Sequence, residues 1–217
     1  MWLLRPPGVY RAQADTELLV ACVRREALRA GTEVLDLGTG TGAVALAAAA
    51  HGARVTAVDV SRRALAAAWL NGAVRRRRIR VRHGDLTGPV RHRLFDLVVS
   101  NPPYVPATGT APPARGSARA WDAGPDGRAL LDRICRLAPA VLAPGGVLLL
   151  VHSAVCGVGA TCRALERAGL AVEVAARRAE PFGPVMTGRA AWLEDRGLVA
   201  PGERHEELVV VRGVRTG

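Results

Sequence analysis

The sequence predicts an α/β fold built on a doubly wound, mostly parallel sheet, and three observations predict it. Short apolar runs alternate with alanine-rich helical stretches over residues 34–151, the pattern of successive βα units. The first run opens into a glycine-rich turn, Gly38-Thr39-Gly40-Thr41-Gly42, before the next helix. The chain has 217 residues and 49% hydrophobic content, enough for one well-buried domain with little left for a second.

In chain order, Val34 to Leu37 reads as the first strand and Gly42 to His51 as the first crossover helix. Arg54 to Val58 and Ser61 to Val74 repeat the pair, with Ser61 as N-cap. Ile79 to Arg82 and Phe95 to Ser100 follow as strands. A helical pattern covers Gly127 to Leu142, and Pro144 with Gly145 ends it; Gly145-Gly146 turns the chain into a fifth strand, Val147 to Val151. Residues 153–168 add a helix. Ala171 to Ala175 and Leu208 to Arg212 are β-rich and form a closing strand pair at the sheet edge. Residues 105–126 are rich in proline and glycine and poor in large apolar side chains, so they predict a long functional surface loop.

The formal net charge is +11, and all 30 basic residues are arginines, for there is no lysine. Such a field attracts phosphates over about a Debye length, so a polyanionic neighbour and a merely solvated basic surface both remain open. Arg75 to Arg78 is the one charge run. Cys22, Cys135, Cys156 and Cys162 form no C-x-x-C pair and sit in helical or apolar segments, which argues for reduced thiols and against a metal or disulfide framework. No apolar stretch approaches a membrane span, so the expected location is cytoplasmic.

The turn after the first strand reads Asp36-Leu37-Gly38-Thr39-Gly40-Thr41-Gly42. Missing side chains there let a ligand approach backbone N–H groups. Gly38, Gly40 and Ala43 also satisfy the dinucleotide pattern G-x-G-x-x-A. Asp36 discriminates: a carboxylate two residues before the first glycine repels a pyrophosphate, whereas S-adenosylmethionine (SAM) brings an ammonium and a sulfonium. Asp59 ends the second strand, where it can accept both ribose hydroxyls. Asp85 follows the third strand, where it can accept from an adenine amino group while Leu86 packs on the ring.

The fourth strand ends in Ser100-Asn101-Pro102-Pro103-Tyr104, at the carboxyl edge where open α/β sheets place their chemistry. An amide or adenine nitrogen attacks a methyl group poorly, because its lone pair is delocalised. Two acceptors, the Asn101 side-chain oxygen and the Pro102 carbonyl, can hold its two N–H bonds. Proline's fixed φ stiffens that turn, and Tyr104 can cover the planar group.

On these residues the chain resembles class I SAM-dependent methyltransferases, and within them the HemK/PrmC-like protein glutamine N5-methyltransferases. Asp36 to Gly42 is similar to the family's SAM loop and Asn101 to Tyr104 to its N-P-P-Y. The likeness extends to Val9-Tyr10, Asp15-Thr16, Ala120-Trp121 and Asp126-Gly127-Arg128. It implies a Rossmann-like sheet of seven strands in the order 3-2-1-4-5-7-6, with Pro103 part of the catalytic tetrad. It implies SAM as cofactor, with Thr16, Asp36, Gly38, Gly40, Gly42, Asp59, Asp85, Leu86 and Asn101 around it and no metal. Only about 30 residues precede the SAM loop, so the chain resembles the short type. Residues 1–217 are expected to form a single domain, with 1–32 as a segment packed on it. Short relatives work with a small zinc-binding activator subunit, which makes such a partner an expectation here. Ala123 stands where many relatives have glycine.

The expected acceptor is a glutamine amide of a translation protein such as a peptide-chain release factor, with Arg115, Arg119 and Arg128 lining the approach. The alternative is an exocyclic amine of a nucleic acid, adenine N6 above all, since the same tetrad serves it; a base-flipping enzyme needs a surface that grips the strand. A non-catalytic SAM- or RNA-binding module would not need a complete tetrad. His152 is expected to be a hydrogen-bonded histidine closing the fifth strand, and Trp192 to be core or a partner-facing patch.

Overall fold

The computed structural model describes residues 2–111, 113 and 116–216; Arg115 lies outside the described residues. Seven strands form one sheet: β1 (Glu33–Leu37), β2 (Arg54–Asp59), β3 (Ile79–His83), β4 (Phe95–Ser100), β5 (Leu142–Ser153), β6 (Leu170–Pro181) and β7 (His205–Arg215). Their order is β3-β2-β1-β4-β5-β7-β6, the order implied by the family resemblance. The first five pair in parallel, and β7 runs antiparallel to both its neighbours. The expected closing pair at the edge is therefore present, with the last strand of the chain inside it.

The central strands read as continuous apolar runs because both faces are covered. Leu35, Leu37, Val98, Leu148 and Leu150 point one way, into a core shared with Leu131 and Ile134 of α4 (Ala129–Leu137) and Leu165 of α5 (Val158–Arg167). Val34, Val55, Leu97, Val99 and Leu149 point the other way, against Leu19 of α1 (Ala14–Val23) and Val44 and Leu46 of α2 (Ala43–Ala50). The second crossover helix, α3 (Arg62–Val74), starts at Ser61, whose hydroxyl accepts from the Ala64 N–H as a capping serine should.

Several elements differ from expectation. The helix before β5 ends at Leu137 and tightens into a 3-10 turn over Ala138–Val141. Pro139, which has no N–H to donate, stops it, and not Pro144. β5 begins at Leu142, and Pro144-Gly145-Gly146 forms a bulge across which the register with β4 shifts. Residues 1–32 hold a helix of their own, α1. Between β6 and β7, α6 (Pro184–Gly188) and α7 (Ala190–Asp195) pack Phe182, Met186 and Leu193 into a small third core. Trp192 is half-buried against that core, with the Arg196 guanidinium 5.5 Å over its ring. Among the described residues no helix is long and apolar enough to cross a membrane, and no cluster of His, Cys, Asp and Glu is arranged to hold a metal.

Candidate active site

The carboxyl ends of β1, β2, β3 and β4 open into a cleft of about 1450 Å³. On one side lies the glycine turn. Gly38 and Gly40 have φ of +71° and +53°, a region that side-chain-bearing residues rarely adopt, and a Cβ on either would point into open space. Gly42 also has a positive φ, but a Cβ there would sit 2.9 Å from Ala68, so it serves the packing of α2 on α3. The first two glycines leave room for a ligand; the third brings two helices together.

Asp36 is buried beneath this turn. Its Oδ2 accepts from the Thr39 hydroxyl at 2.6 Å and from the Ala45 N–H at 3.2 Å. Burial raises its pKa to about 6, against the opposing effect of those two bonds. Asp59 takes the Gly40 N–H on one oxygen and the Ser61 N–H on the other, and its carboxyl too is raised, first by burial. Both carboxylates thus hold the turn from below while lining the cleft.

Asp85 is exposed, at the rim of the cleft, in an ion pair with Arg133 of α4. Leu86 beside it is buried at φ +46°, an uncommon conformation for a leucine. It lies both in the core and on the cleft wall.

Across the cleft, β4 ends at Ser100, whose hydroxyl donates to the Leu37 carbonyl and ties the two parallel strands together. Asn101, Pro102, Pro103 and Tyr104 follow, all lining the cleft. The Asn101 amide nitrogen donates to Thr16 Oγ1 at 3.1 Å, which leaves Oδ1 as the acceptor end of the side chain. Thr16 in turn donates its hydroxyl and backbone N–H to Asp15 Oδ1. Asp15 Oδ2 accepts from the hydroxyls of Tyr104 at 3.1 Å and Tyr10 at 2.9 Å. One buried carboxylate near the start of α1 therefore organises the tetrad. Burial and the adjacent Asp15 push both tyrosine hydroxyls well above their ordinary range, so each acts as a neutral donor.

Asp15 had no local sequence signal beyond the family likeness of Asp15-Thr16. Glu206 had none at all. It reaches the cleft from β7, its Oε2 is buried without a hydrogen-bond partner, and burial raises its carboxyl. Only the fold brings residue 206 beside residues 15 and 104.

The described residues of the loop after the tetrad are tied together by backbone hydrogen bonds. Val105 and Asp122 form an isolated parallel bridge, Ala123 donates to the Val105 carbonyl, and residues 117–120 make a 3-10 turn. Ala123 is buried without a positive φ, so alanine fits there. Trp121 and Arg119 line the cleft. Arg128 does not: its guanidinium turns inward to the Cys156 and Gly157 carbonyls, the Thr161 hydroxyl and Asp132. The expectation that Arg128 lines the substrate approach is corrected, because these carbonyls after β5 draw the side chain under the loop. His152 is fully buried, its Nδ1 at 2.8 Å from the Ser153 carbonyl oxygen, and burial lowers its pKa to about 4.

A family model described as the methyltransferase small domain matches residues 1–114. A Methanocaldococcus jannaschii protein provisionally named protein N5-glutamine methyltransferase is 32% identical over 181 residues, covering 83% of this chain and 90% of that protein. The release factor glutamine methyltransferase of Bordetella pertussis is 41% identical over 161 residues, covering 70% of this chain and 59% of that protein. The chain thus spans less than two thirds of that longer relative. Among solved structures, the E. cuniculi Mtq2-Trm112 complex, described as responsible for methylation of the eRF1 translation termination factor, superposes with a TM-score of 0.66 at 23% identity, over 96% of this chain and 99% of that one. At that identity the match shows the shared fold.

Proposed function

The chain belongs to the methyltransferase small-domain family, and on that premise we propose that it methylates the side-chain amide nitrogen of a glutamine in a translation protein, most directly a peptide-chain release factor in the cytoplasm. The observation that carries this reading is the held orientation of Asn101. Thr16 accepts its amide N–H, which leaves its oxygen to accept one N–H of a primary amide while the carbonyl of Pro102, next in the chain and also lining the cleft, would take the other.

The glycine turn fits SAM. Gly38 and Gly40 leave the space of two side chains open above buried carboxylates, and no phosphate would be stable so close to Asp36. In this reading Asp36 and Thr16 face the amino-acid end, Asp59 takes the ribose hydroxyls, and Leu86 covers the adenine, with Asp85 at its edge. The bound cofactor supplies a methyl carbon whose sulfonium leaves as a neutral thioether when the new N–C bond forms. The protein's own part is positioning and desolvation. Asn101 and Pro102 hold the amide, Tyr104 lies over its plane, and the proton displaced from nitrogen is lost to solvent.

Asp36 gives this reading a pH signature. Its carboxyl is raised to about 6 because burial disfavours the anion; a cation bound beside it favours the anion and displaces the proton. SAM affinity is therefore expected to rise with pH by up to about tenfold per unit below pH 6 and to level off above it. Calorimetry across pH 5–8 measures this, and Asp36→Asn should flatten the curve. A wild-type affinity independent of pH over that range would remove Asp36 from the cofactor's charge.

The acceptor is tested by offering the enzyme release factor, ribosomal proteins, DNA and RNA with labelled SAM, with and without a small zinc-binding subunit, since the E. cuniculi neighbour works as a complex. Tandem mass spectrometry should place the methyl group on a glutamine. Label confined to adenine would reverse the assignment in favour of a nucleic-acid amine.

A further inference from the structure

Between Val60 and Gly84 the chain carries eight arginines and not one acidic residue. The structure gathers them around one edge of the sheet, with Arg80 and Arg82 on the side of β3 turned away from α3. Arg62 and Arg63 open α3; Arg75 to Arg78 turn the chain from α3 into β3; Arg80 and Arg82 lie exposed on β3, the outermost strand of the sheet. Among the described residues none of the eight is in an ion pair, whereas nine arginines elsewhere are. The flanking acids are committed: Asp59 to backbone N–H groups and Asp85 to Arg133.

Two bland accounts cover part of this. A cation or two near the C-terminus of α3 complements the helix dipole, and charge on an edge strand discourages strand-to-strand aggregation. Neither asks for eight, and neither explains the apolar residues among them. Along α3 the exposed stripe reads Arg62, Ala66, Trp69, Ala73, at helical spacing, and runs on to Arg76 in the turn. Trp69 is 54% exposed, Val74 66%, and Trp2 74%; the Trp2 carbonyl accepts from Arg75 and so holds the N-terminal strand of chain against this end of α3. Arg76 itself sits at φ +55°, in the turn position that usually selects glycine.

We propose that the sheet edge formed by α3 and β3 is a docking surface for single-stranded RNA, which wraps it and is held by its phosphates and by stacking bases on Trp69 and Trp2. Guanidinium forks match phosphate oxygens two at a time, and exposed indole rings between arginines suit bases, which an acidic protein or a lipid headgroup lacks. Only Arg63 of this set also lines the cleft, so the surface adjoins the acceptor site without being part of it. The RNA is a tether there, not the methyl acceptor. The inference stands on the charge distribution and does not require the glutamine assignment to be right.

The test is fluorescence anisotropy of a labelled 20-nucleotide RNA against the full chain over a range of salt. The five-fold variant R76S/R77S/R78S/R80S/R82S should weaken binding more than tenfold near 0.1 M salt. It should also reduce the slope of log K against log salt by up to about 3.5, at ~0.7 per phosphate contact on a single strand. The variant R24S/R25S/R29S/R136S/R167S removes the same charge from exposed arginines elsewhere and should stay within about twofold of wild type. Trp69→Ala should weaken binding at least fivefold, the lower bound for loss of one stacked base. Each variant is first shown to melt and to bind SAM as wild type does. Equal losses from both five-fold variants would reduce the effect to bulk charge and overturn the proposal. So would equal affinity for a polyglutamate of the same length or for anionic vesicles. Methyl label entering the RNA would make RNA the acceptor and overturn both the tether and the glutamine assignment; label on protein with no RNA binding would overturn the tether alone.

Discussion

Asn101→Ala is expected to slow methyl transfer by two to three orders of magnitude while leaving SAM affinity within about fivefold. Removing one preoriented polar group at a reacting centre has effects of that size on kcat. In the proposed mechanism Asn101 acts through its oxygen, whose direction is set because its amide nitrogen donates to Thr16, which donates to Asp15. Truncation frees one N–H of the acceptor amide, and its lone pair is no longer aimed. Thr16→Val keeps the Asn101 oxygen but releases its orientation, so an intermediate loss in kcat is expected. Tyr104→Phe, which breaks only the bond to Asp15, should lower kcat further than it changes cofactor affinity. Single-turnover rates with saturating SAM separate the steps. A near-normal rate for Asn101→Ala would end the two-acceptor account.

Gly127→Ala is the second large effect, and it is structural in origin. Gly127 has φ +72°, and a Cβ there would lie 2.2 Å from the Tyr104 carbonyl oxygen and 2.8 Å from Cys156 Sγ. Backbone cannot yield cheaply, so steric strain of about 1–3 kcal/mol adds to about 1–2 kcal/mol for the left-handed backbone. At ~3 kcal/mol the melting temperature of a chain this long should fall by about 6–12 °C, and the displaced Tyr104 should carry kcat down with it. Gly124→Ala is the control. Its φ is +81° but its Cβ would meet nothing closer than 3.8 Å, so only the backbone contribution, a few degrees, should appear. Equal shifts for the two would mean that close approach to Tyr104 plays no part.

These two residues show how unevenly the sequence could be read. The tetrad was legible because its chemistry is local: four consecutive residues at a strand end, with an acceptor pair one residue apart. The parallel strands were legible because burial on both faces writes an unbroken apolar run. Asp126-Gly127-Arg128 was visible as a motif but misread in part. Gly127 is required by a neighbour 23 positions earlier in the chain, and Arg128 points to carbonyls after β5, 28 and 29 positions on; no spacing rule reports either. α6 and α7 went unseen because each is under two turns and draws its stability from Phe182, Met186 and Leu193 packing together. Asp15 and Glu206 share that cause in the cleft itself: the contact of Asp15 with Tyr104 spans 89 positions, Glu206 reaches the cleft only through the placing of β7, and a lone carboxylate carries no periodicity.

The position of β7 has a consequence for how the molecule comes into being. It is the last strand in the chain, yet it lies inside the sheet, between β5 and β6. While the chain emerges from the ribosome, β5 and β6 have no hydrogen-bonding partner for each other until residues 205–215 arrive and slide between them. The apolar strip Leu208 to Val211 then enters last, bringing Glu206 and Leu208 to the cleft wall. The central βα units can assemble early from contacts near in sequence. The cleft wall that Glu206 and Leu208 complete can form only after β7 has been synthesised, whereas the glycine turn lies in βα units made well before it.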